Sequence, residues 1–173
     1  MTILRVNQIQ DTTGKIILQN STNILQVVYG DMGSDTASIT SADNVTIPSC
    51  SVTITPTSNT SKILLRAHVV HNDFYVPSFG FSRNGVNIGG NTNTNSSNVI
   101  AMYWQGHPSG SDSQWCVSTT YQYLDSPAST SALTYAPTAC SSYGGVNYTI
   151  RINDRNLLDM RGLTSIIAME VSA

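Results

Sequence analysis

Charged residues are scarce in this chain. Asp, Glu, Lys and Arg make up 10% of its 173 residues, against about 25% in an average soluble domain. Lys15, Lys62 and Glu170 are the whole supply of Lys and Glu, so the residues that usually cover exposed helices are almost missing. Ser, Thr and Asn fill about a third of the sequence instead. The composition predicts β structure, and it suits either a protein packed in an assembly or a low-charge extracellular domain.

Other features are missing too, and each absence excludes a class of function. The six Arg are scattered from Arg5 to Arg161 without a basic run, which argues against nucleic-acid binding. Cys50, Cys116 and Cys140 include no CxxC pair, so a zinc or redox site has almost no support, and we expect buried thiols or one disulfide plus a free thiol. No stretch approaches the ~20 apolar residues of a membrane span, and the N-terminus shows no secretion signal.

No combination of residues predicts catalysis, a metal or a cofactor. His68 and His71 lie three residues apart, which in a strand places them on opposite faces, and His107 falls in a loop. Residues 31–35 (DMGSD) loosely resemble a cation loop but lack its ligand count and closing Glu. Glu170 lies in the last predicted strand, on a face expected to be exposed or between subunits. We therefore expect a protein without enzymatic activity, catalytic residues or cofactors.

The first 23 residues form a segment of their own. Two short apolar runs flank the turn Asp11-Thr12-Thr13-Gly14. Two short strands are not stable alone in water, so this arm is expected to pack on the main domain, on neighbouring copies or on another protein. The apolar residues of the attachment arm are Leu4, Val6, Ile9, Ile16, Ile17 and Leu18.

Residues 24–173 read as a single domain of about ten short strands separated by polar turns. The longest predicted strand, residues 61–71, alternates apolar and polar positions, as a strand with one core face does. Asn84-Gly85 is the preferred pair for a type I′ hairpin turn. Many short strands at close spacing predict an antiparallel β-sandwich, and a jelly roll is the preferred topology.

Two predicted strands, residues 63–70 and 166–171, carry apolar residues on both faces. One face of each can enter the core, whereas the other needs cover that a small domain does not readily supply. We expect a threefold assembly of identical chains to provide it. The predicted trimer interface consists of Leu64, Val70, Ile167, Met169 and Val171.

A polar loop and nearby aromatic residues form the candidate contact surface for a host. Loop 89–98 has no apolar residue and is rich in Asn, and loop 106–113 is similar. Trp115, Tyr121 and Tyr123 are interpreted as core or cross-strand residues instead. A solvated loop without ligand is the alternative interpretation of the whole surface. The candidate residues for glycan or receptor contact are Tyr103, Trp104, His107, Asn91, Asn93 and Asn95.

Motifs spread over nearly the whole chain carry a resemblance to known proteins. They are residues 4–14 (LRVNQIQDTTG), 54–58 (ITPTS) leading into 61–64 (SKIL), 121–127 (YQYLDSP) and 164–171 (TSIIAMEV). These stretches are similar to motifs of fibre-like virion proteins of marine and cyanobacterial tailed phages. The resemblance implies a trimeric, β-rich virion protein that serves as a tail fibre, a receptor-binding protein or a capsid-attached protein. Loop 89–98 and residues 153–161 depart from that pattern.

Three functions are compatible with this sequence. The leading hypothesis is a homotrimeric fibre or fibre-tip subunit on the particle surface, docked on other virion proteins through residues 1–23, with its loops towards the host. A capsid decoration or cement protein is the alternative. A glycan-degrading tailspike is disfavoured, because the chain is short and shows no acidic site.

Overall fold

The computed structural model describes residues 8–10, 16–19, 24–72, 77–90, 99–102, 116–143, 146–154 and 161–172. All regular structure in these ranges is β, in fifteen strands; thirteen of them follow residue 23, rather than about ten, because several short strands pair with the long ones. The strands are β1 (Gln8–Gln10), β2 (Ile16–Gln19), β3 (Ile24–Asp31), β4 (Ala37–Thr40), β5 (Val45–Thr46), β6 (Val52–Ile54), β7 (Lys62–Asn72), β8 (Pro77–Arg83), β9 (Val86–Ile88), β10 (Ala101–Met102), β11 (Val117–Asp125), β12 (Leu133–Tyr143), β13 (Val146–Asn147), β14 (Thr149–Ile152) and β15 (Ser165–Val171).

Two antiparallel sheets form a sandwich. In the first sheet β3 pairs with β15, β15 with β7, and β11 with the other edge of β7. In the second sheet β8 and β12 are central, with β10 beside β8 and β6 beside β12. The orders β3-β15-β7-β11 and β6-β12-β8-β10 are those of an eight-stranded jelly roll. The all-β sandwich predicted from the sequence is confirmed.

Side chains from both sheets fill the space between them. On β7 the alternate residues Ile63, Leu65, Ala67 and Val69 are fully buried, so the core face predicted for this strand is confirmed. Phe79, Phe81 and Tyr135 are the large fully buried side chains of the second sheet. The opposite face of β7, with Lys62, Leu64, Arg66 and His68, points away from this core.

The predicted hairpin turn lies between β8 and β9. Asn84 and Gly85 have φ angles of 50° and 79°, as a type I′ turn requires, and Arg83 pairs with Val86 across it. The Asn84 side chain also accepts a hydrogen bond of 2.9 Å from the Thr134 amide, which ties the turn to β12. Local sequence thus determines the turn type, and the hydrogen bond from Thr134 fixes the turn against β12.

The three cysteines lie in the sandwich, whereas the arm forms a small sheet of its own. Cys50 and Cys140 are buried and Cys116 is half-buried, and none of these three described cysteines is in a disulfide. In the arm, β1 and β2 pair with each other and with no other strand of the described ranges. Among the described residues no helix is long and apolar enough to cross a membrane.

Candidate interaction surface

One apolar row crosses the outward face of the first sheet from edge to edge. The strand registers place Val27 beside Met169, Met169 beside Leu64, and Leu64 beside Leu124. Met169 and Leu64 are half-buried, whereas Val27 and Leu124 at the two edges are 57% and 47% exposed. Four apolar side chains therefore line up across β3, β15, β7 and β11 with no cover from the described part of this chain.

The neighbouring rows enlarge this apolar surface. Tyr29 and Ile167 lie side by side in the next row, followed by Arg66 and Gln122. On the other side Val171 pairs with Ile24, at a register shift that follows Glu170. We call the apolar residues of these rows the outer patch. They are Ile24, Leu25, Val27, Tyr29, Leu64, Leu124, Ile167, Met169 and Val171.

The opposite end of the same face is polar. Asp31, Ser165, His68 and Thr120 form one row, and Nδ1 of His68 lies 3.0 Å from Oγ1 of Thr120. The outer patch consequently occupies the end of the sheet that begins with Ile24. This is the end at which the chain arrives from the arm.

Val70 also belongs to the predicted interface; it is half-buried and packs against its own chain. Its amide donates a 3.0 Å hydrogen bond to the Thr164 hydroxyl, and its carbonyl accepts one of 2.9 Å from the Asn153 amide. Gly162 packs so closely on it that a Cβ there would overlap the Val70 side chain. The remaining predicted interface residues, Leu64, Ile167, Met169 and Val171, are half-buried residues of the outer patch.

Glu170 does not lie on an exposed or intersubunit face, and that expectation was wrong. It shares the inward face of β15 with Ile166 and Ala168 and is buried. Its carboxylate accepts hydrogen bonds of 2.7 Å from the amide and the hydroxyl of Thr57. It also accepts one of 2.6 Å from Nε2 of Gln26 and one from Ser61. Burial raises the pKa of Glu170, but these hydrogen bonds outweigh it and lower the pKa to about 2.

A second buried carboxylate connects the two sheets. Asp125, at the end of β11, accepts hydrogen bonds at the same oxygen from Arg83 at 2.8 Å and from the Tyr135 hydroxyl at 2.7 Å. Arg83 belongs to β8 and Tyr135 to β12, so three strands meet at one carboxylate. The aspartate of the YLDSP stretch therefore has an architectural role here.

Histidines 68 and 71 lie on opposite faces, as their spacing predicts. His71 is buried in the sandwich, where its Nε2 lies 3.0 Å from the Thr119 hydroxyl. Burial lowers the pKa of His71 to about 4. In the part of the chain that the structure describes, no three His, Cys, Asp or Glu side chains come together to hold a metal ion.

Tyr121 is a core residue, as interpreted from the sequence. Its ring lies 4.9 Å from that of Phe81 and 5.9 Å from that of Phe79, and its hydroxyl donates a 3.0 Å hydrogen bond to the Gly80 carbonyl. Tyr123 packs against the edge of the core. Trp115 lies outside the described residues.

Several predicted contact residues also lie outside the described ranges. In the arm, Leu4 and Val6 lie outside the described residues, whereas Ile9 lies in β1 and residues 16–18 lie in β2. All candidate glycan or receptor contacts lie outside as well, namely Tyr103, Trp104, His107, Asn91, Asn93 and Asn95.

Sequence reasoning missed part of the outer patch. Val27, Tyr29 and Leu124 were not predicted as interface residues, although all three are exposed and apolar. Two signals were present: residues 24–29 are apolar on both faces of their strand, and Leu124 interrupts the polar side of β11. What the sequence lacked was the position of β3 and β11 at the edges of one sheet.

Comparison with known proteins identifies no family. No family model matches the chain, and no curated protein matches it. Among solved structures, the infectious bursal disease virus Gt strain aligns with a TM-score of 0.40 at 12% identity, over 96% of this chain and 44% of that chain. The Gx strain of the same virus aligns with a TM-score of 0.36 at 10% identity, over 96% and 44%.

The T13 particle of infectious bursal disease virus gives a similar result, with a TM-score of 0.37 at 10% identity over 96% of this chain and 42% of that chain. The chain thus spans less than half the length of these proteins. Likenesses this distant carry no argument about function, and the jelly-roll assignment rests on the strand order described above.

Proposed function

We propose that this chain is a non-enzymatic structural protein of a virus particle, and more specifically the subunit of a homotrimeric fibre or fibre tip on a tailed phage. The fold is compatible with this role, because jelly rolls build many viral shells and projections as well as lectins. A fold alone does not select a function. The phage-like motifs, among them residues 4–14 and 121–127, favour the virion.

The outer patch is the observation that carries the assembly. Five of its side chains, Ile24, Leu25, Val27, Tyr29 and Leu124, are 46–59% exposed. At about 100 Å² each they offer on the order of 500 Å² of apolar surface, which is the size of the largest patch on a typical monomer, and such a patch is often a functional surface. With its half-buried members and its polar rim, the outer patch approaches the ~800 Å² per partner of a standard interface. Identical copies of the chain are the partner that we propose.

The remaining parts of the chain take roles that follow from this arrangement. Residues 1–23 dock the trimer on another virion protein, because a two-stranded hairpin with apolar residues needs a surface to pack on. Loops 89–98 and 106–113, with the neighbouring Tyr103 and Trp104, are proposed to face the host and to contact a glycan or a weakly charged protein of its envelope. Three copies give avidity to a weak single site.

The location in the particle tests the proposal directly. Gold-labelled antibody against the protein should decorate the tails of purified virions and be absent from DNA-filled heads. Label on the heads instead would assign the chain to capsid decoration, the alternative function. Absence of the protein from purified particles would refute the virion proposal altogether.

The substitution Ile167→Asp tests the assembly. A charge in the middle of the outer patch should convert trimers to folded monomers, since an unpaired buried charge costs several kcal/mol. Light scattering gives the mass, and circular dichroism reports the fold. Val86→Asp, at a 68% exposed apolar position of β9 in the second sheet, is the matched control and should stay trimeric. A wild-type monomer at high concentration would contradict the proposal.

A further inference from the structure

The jelly-roll sheet β3-β15-β7-β11 has two long open edges. In the described ranges β3 pairs only with β15, over seven residue pairs, and β11 pairs only with β7, over nine; β3 also packs closely on Ser51 just before β6. The outer side of each strand therefore presents a row of main-chain N–H and C=O groups to whatever lies beside the sheet. Open edges of this length are templates for another strand.

Along most of their length, neither edge strand carries the usual protection against strand addition. Natural proteins protect open edges with Lys, Pro or inward-pointing charges. The strands β3 and β11 contain no Lys, Arg or Pro. The one charge on β3 is Asp31 at its end, and the one charge on β11 is Asp125, which is buried and bound by Arg83. Both edges are thus neutral along the part that a neighbour would contact.

The two edges are also complementary to each other. Three successive antiparallel pairings separate β3 from β11, so these strands run in opposite directions. A second copy that continues the sheet consequently places its β11 antiparallel to β3. Val27 and Leu124 are the exposed ends of one apolar row, so the same step brings Leu124 of a neighbouring copy beside Val27 and continues that row.

We propose that the copies join edge to edge, with β3 of each chain hydrogen-bonded antiparallel to β11 of the next, and that this contact closes as a ring of three. The contact is heterologous, and such contacts form rings when the rotation between copies closes. The outer patches then face the common axis, so that Leu64, Ile167 and Met169 line the inside of the ring. This inference rests on the proposed trimer and specifies how its subunits meet.

A disulfide between positions 27 and 124 distinguishes this arrangement. Within one chain β15 and β7 separate the two positions, and three strand spacings amount to about 14 Å. A disulfide needs Cα atoms within about 7 Å, so an intrachain bond is excluded. The experiment uses the full chain with Val27→Cys and Leu124→Cys, and with Cys116→Ser to remove the half-buried native thiol.

After mild oxidation the double variant should run as a covalent trimer on a non-reducing gel and return to monomer on reduction. Val27→Cys alone and Leu124→Cys alone, in the same background, should remain monomeric on that gel. The pair Tyr29→Cys and Gln122→Cys, one row further along both strands, tests the same pairing at a second position. Covalent dimers from Val27→Cys alone would show β3 against β3 and overturn the proposal.

The outcomes distinguish failure of the proposed trimer from failure of the proposed β3–β11 contact. Trimers in light scattering with no crosslink from either cysteine pair would leave the proposed function standing and refute the edge contact. Monomers in light scattering would refute both. Hydrogen exchange on the unmodified protein gives an independent readout: amides of β3 and β11 should be protected about as well as those of β7. Rapid exchange of every second amide along these two strands would contradict the pairing.

Discussion

At the scale of single residues, Glu170 shows how a carboxylate is held inside this protein without a cation. Its hydrogen bonds come from Thr57, Gln26 and Ser61, which belong to the β6–β7 connection, to β3 and to the residue before β7. The buried carboxylate and its donors satisfy one another's hydrogen-bonding capacity. Removal of the carboxylate would therefore leave buried donors without a partner, which costs stability. Glu170 therefore joins the start of β3 to the rest of the jelly roll.

The substitution Glu170→Gln should destabilise the fold by about 2 kcal/mol, because the Gln amide cannot accept all of these hydrogen bonds and charged acceptors make stronger ones. Urea unfolding at pH 7 measures the change. Asp43→Asn, at an exposed residue, is the control and should change stability little. Because the folded pKa lies below the usual value, the contribution of Glu170 is present above about pH 4.5 and lost as the pH falls towards 2. An unfolding midpoint equal to wild type would show that the hydrogen bonds are not needed.

His71 should make stability depend on pH in a higher range. Its folded pKa of about 4 lies below the usual 6.5, so the unfolded chain binds the proton more tightly. Stability is full above pH 6.5 and falls as the pH decreases towards 4, by roughly 3 kcal/mol in total. Unfolding free energies measured from pH 7.5 to 4 should show this slope. The slope should weaken in His71→Gln and persist in His68→Gln, and an unchanged slope in the former would assign it elsewhere.

At the scale of the strands, Asp125 of β11 links the two sheets at one end, because it is hydrogen-bonded to residues of β8 and β12. Asp125 comes from the first sheet, whereas Arg83 and Tyr135 come from the second. These hydrogen bonds involve only the last residue of β11, next to the open edge of that strand. A rigid end of β11 suits the pairing with a neighbouring copy that we propose.

A double-mutant cycle with Asp125→Asn and Tyr135→Phe should show a coupling energy of about 1–3 kcal/mol, because Tyr135→Phe removes the buried hydrogen bond whose charged acceptor Asp125→Asn replaces by a weaker, neutral one. Urea unfolding of the four proteins gives the values. The pair Asp125→Asn and Thr40→Ala, whose sites belong to different ends of the strand network, should be additive within about 0.5 kcal/mol. Additivity in the first pair would mean that Asp125 and Tyr135 do not act together.

At the scale of the whole molecule, the division between arm and jelly roll governs attachment. The strands β1 and β2 pair with each other and with no other described strand, so the pairing of the sandwich is complete without them. The outer patch begins at Ile24, directly after the arm. In the proposed trimer, three arms therefore leave the assembly close to its interfaces and at the same end.

Deletion of residues 1–23 should leave a folded trimer that no longer enters particles. The physical reason is that every strand pair of the sandwich lies within residues 24–172. Circular dichroism and light scattering test folding and mass, and complementation of a phage lacking the gene tests incorporation. A truncated chain that fails to fold would assign the arm to the domain instead of to attachment.

Much of the architecture was predictable because it depends on neighbours along the chain. Alternation in residues 61–71 predicts which side chains of β7 share a face, and Asn84-Gly85 predicts its turn. Both are local properties of the backbone, and both were confirmed. The all-β class follows from the same local signals together with the shortage of helix formers.

Only the tertiary structure decided which face is inside and which strands are edges. On β15 the more apolar face, with Ile167 and Met169, points outward, while the face with Ala168 and Glu170 points inward. Alternation separates the two faces but does not choose between them, because the choice depends on partners distant in sequence. Gln26, 144 residues before Glu170, supplies one of the hydrogen bonds that make the buried carboxylate stable. The outer patch exists because that choice leaves the apolar face of β15 outside.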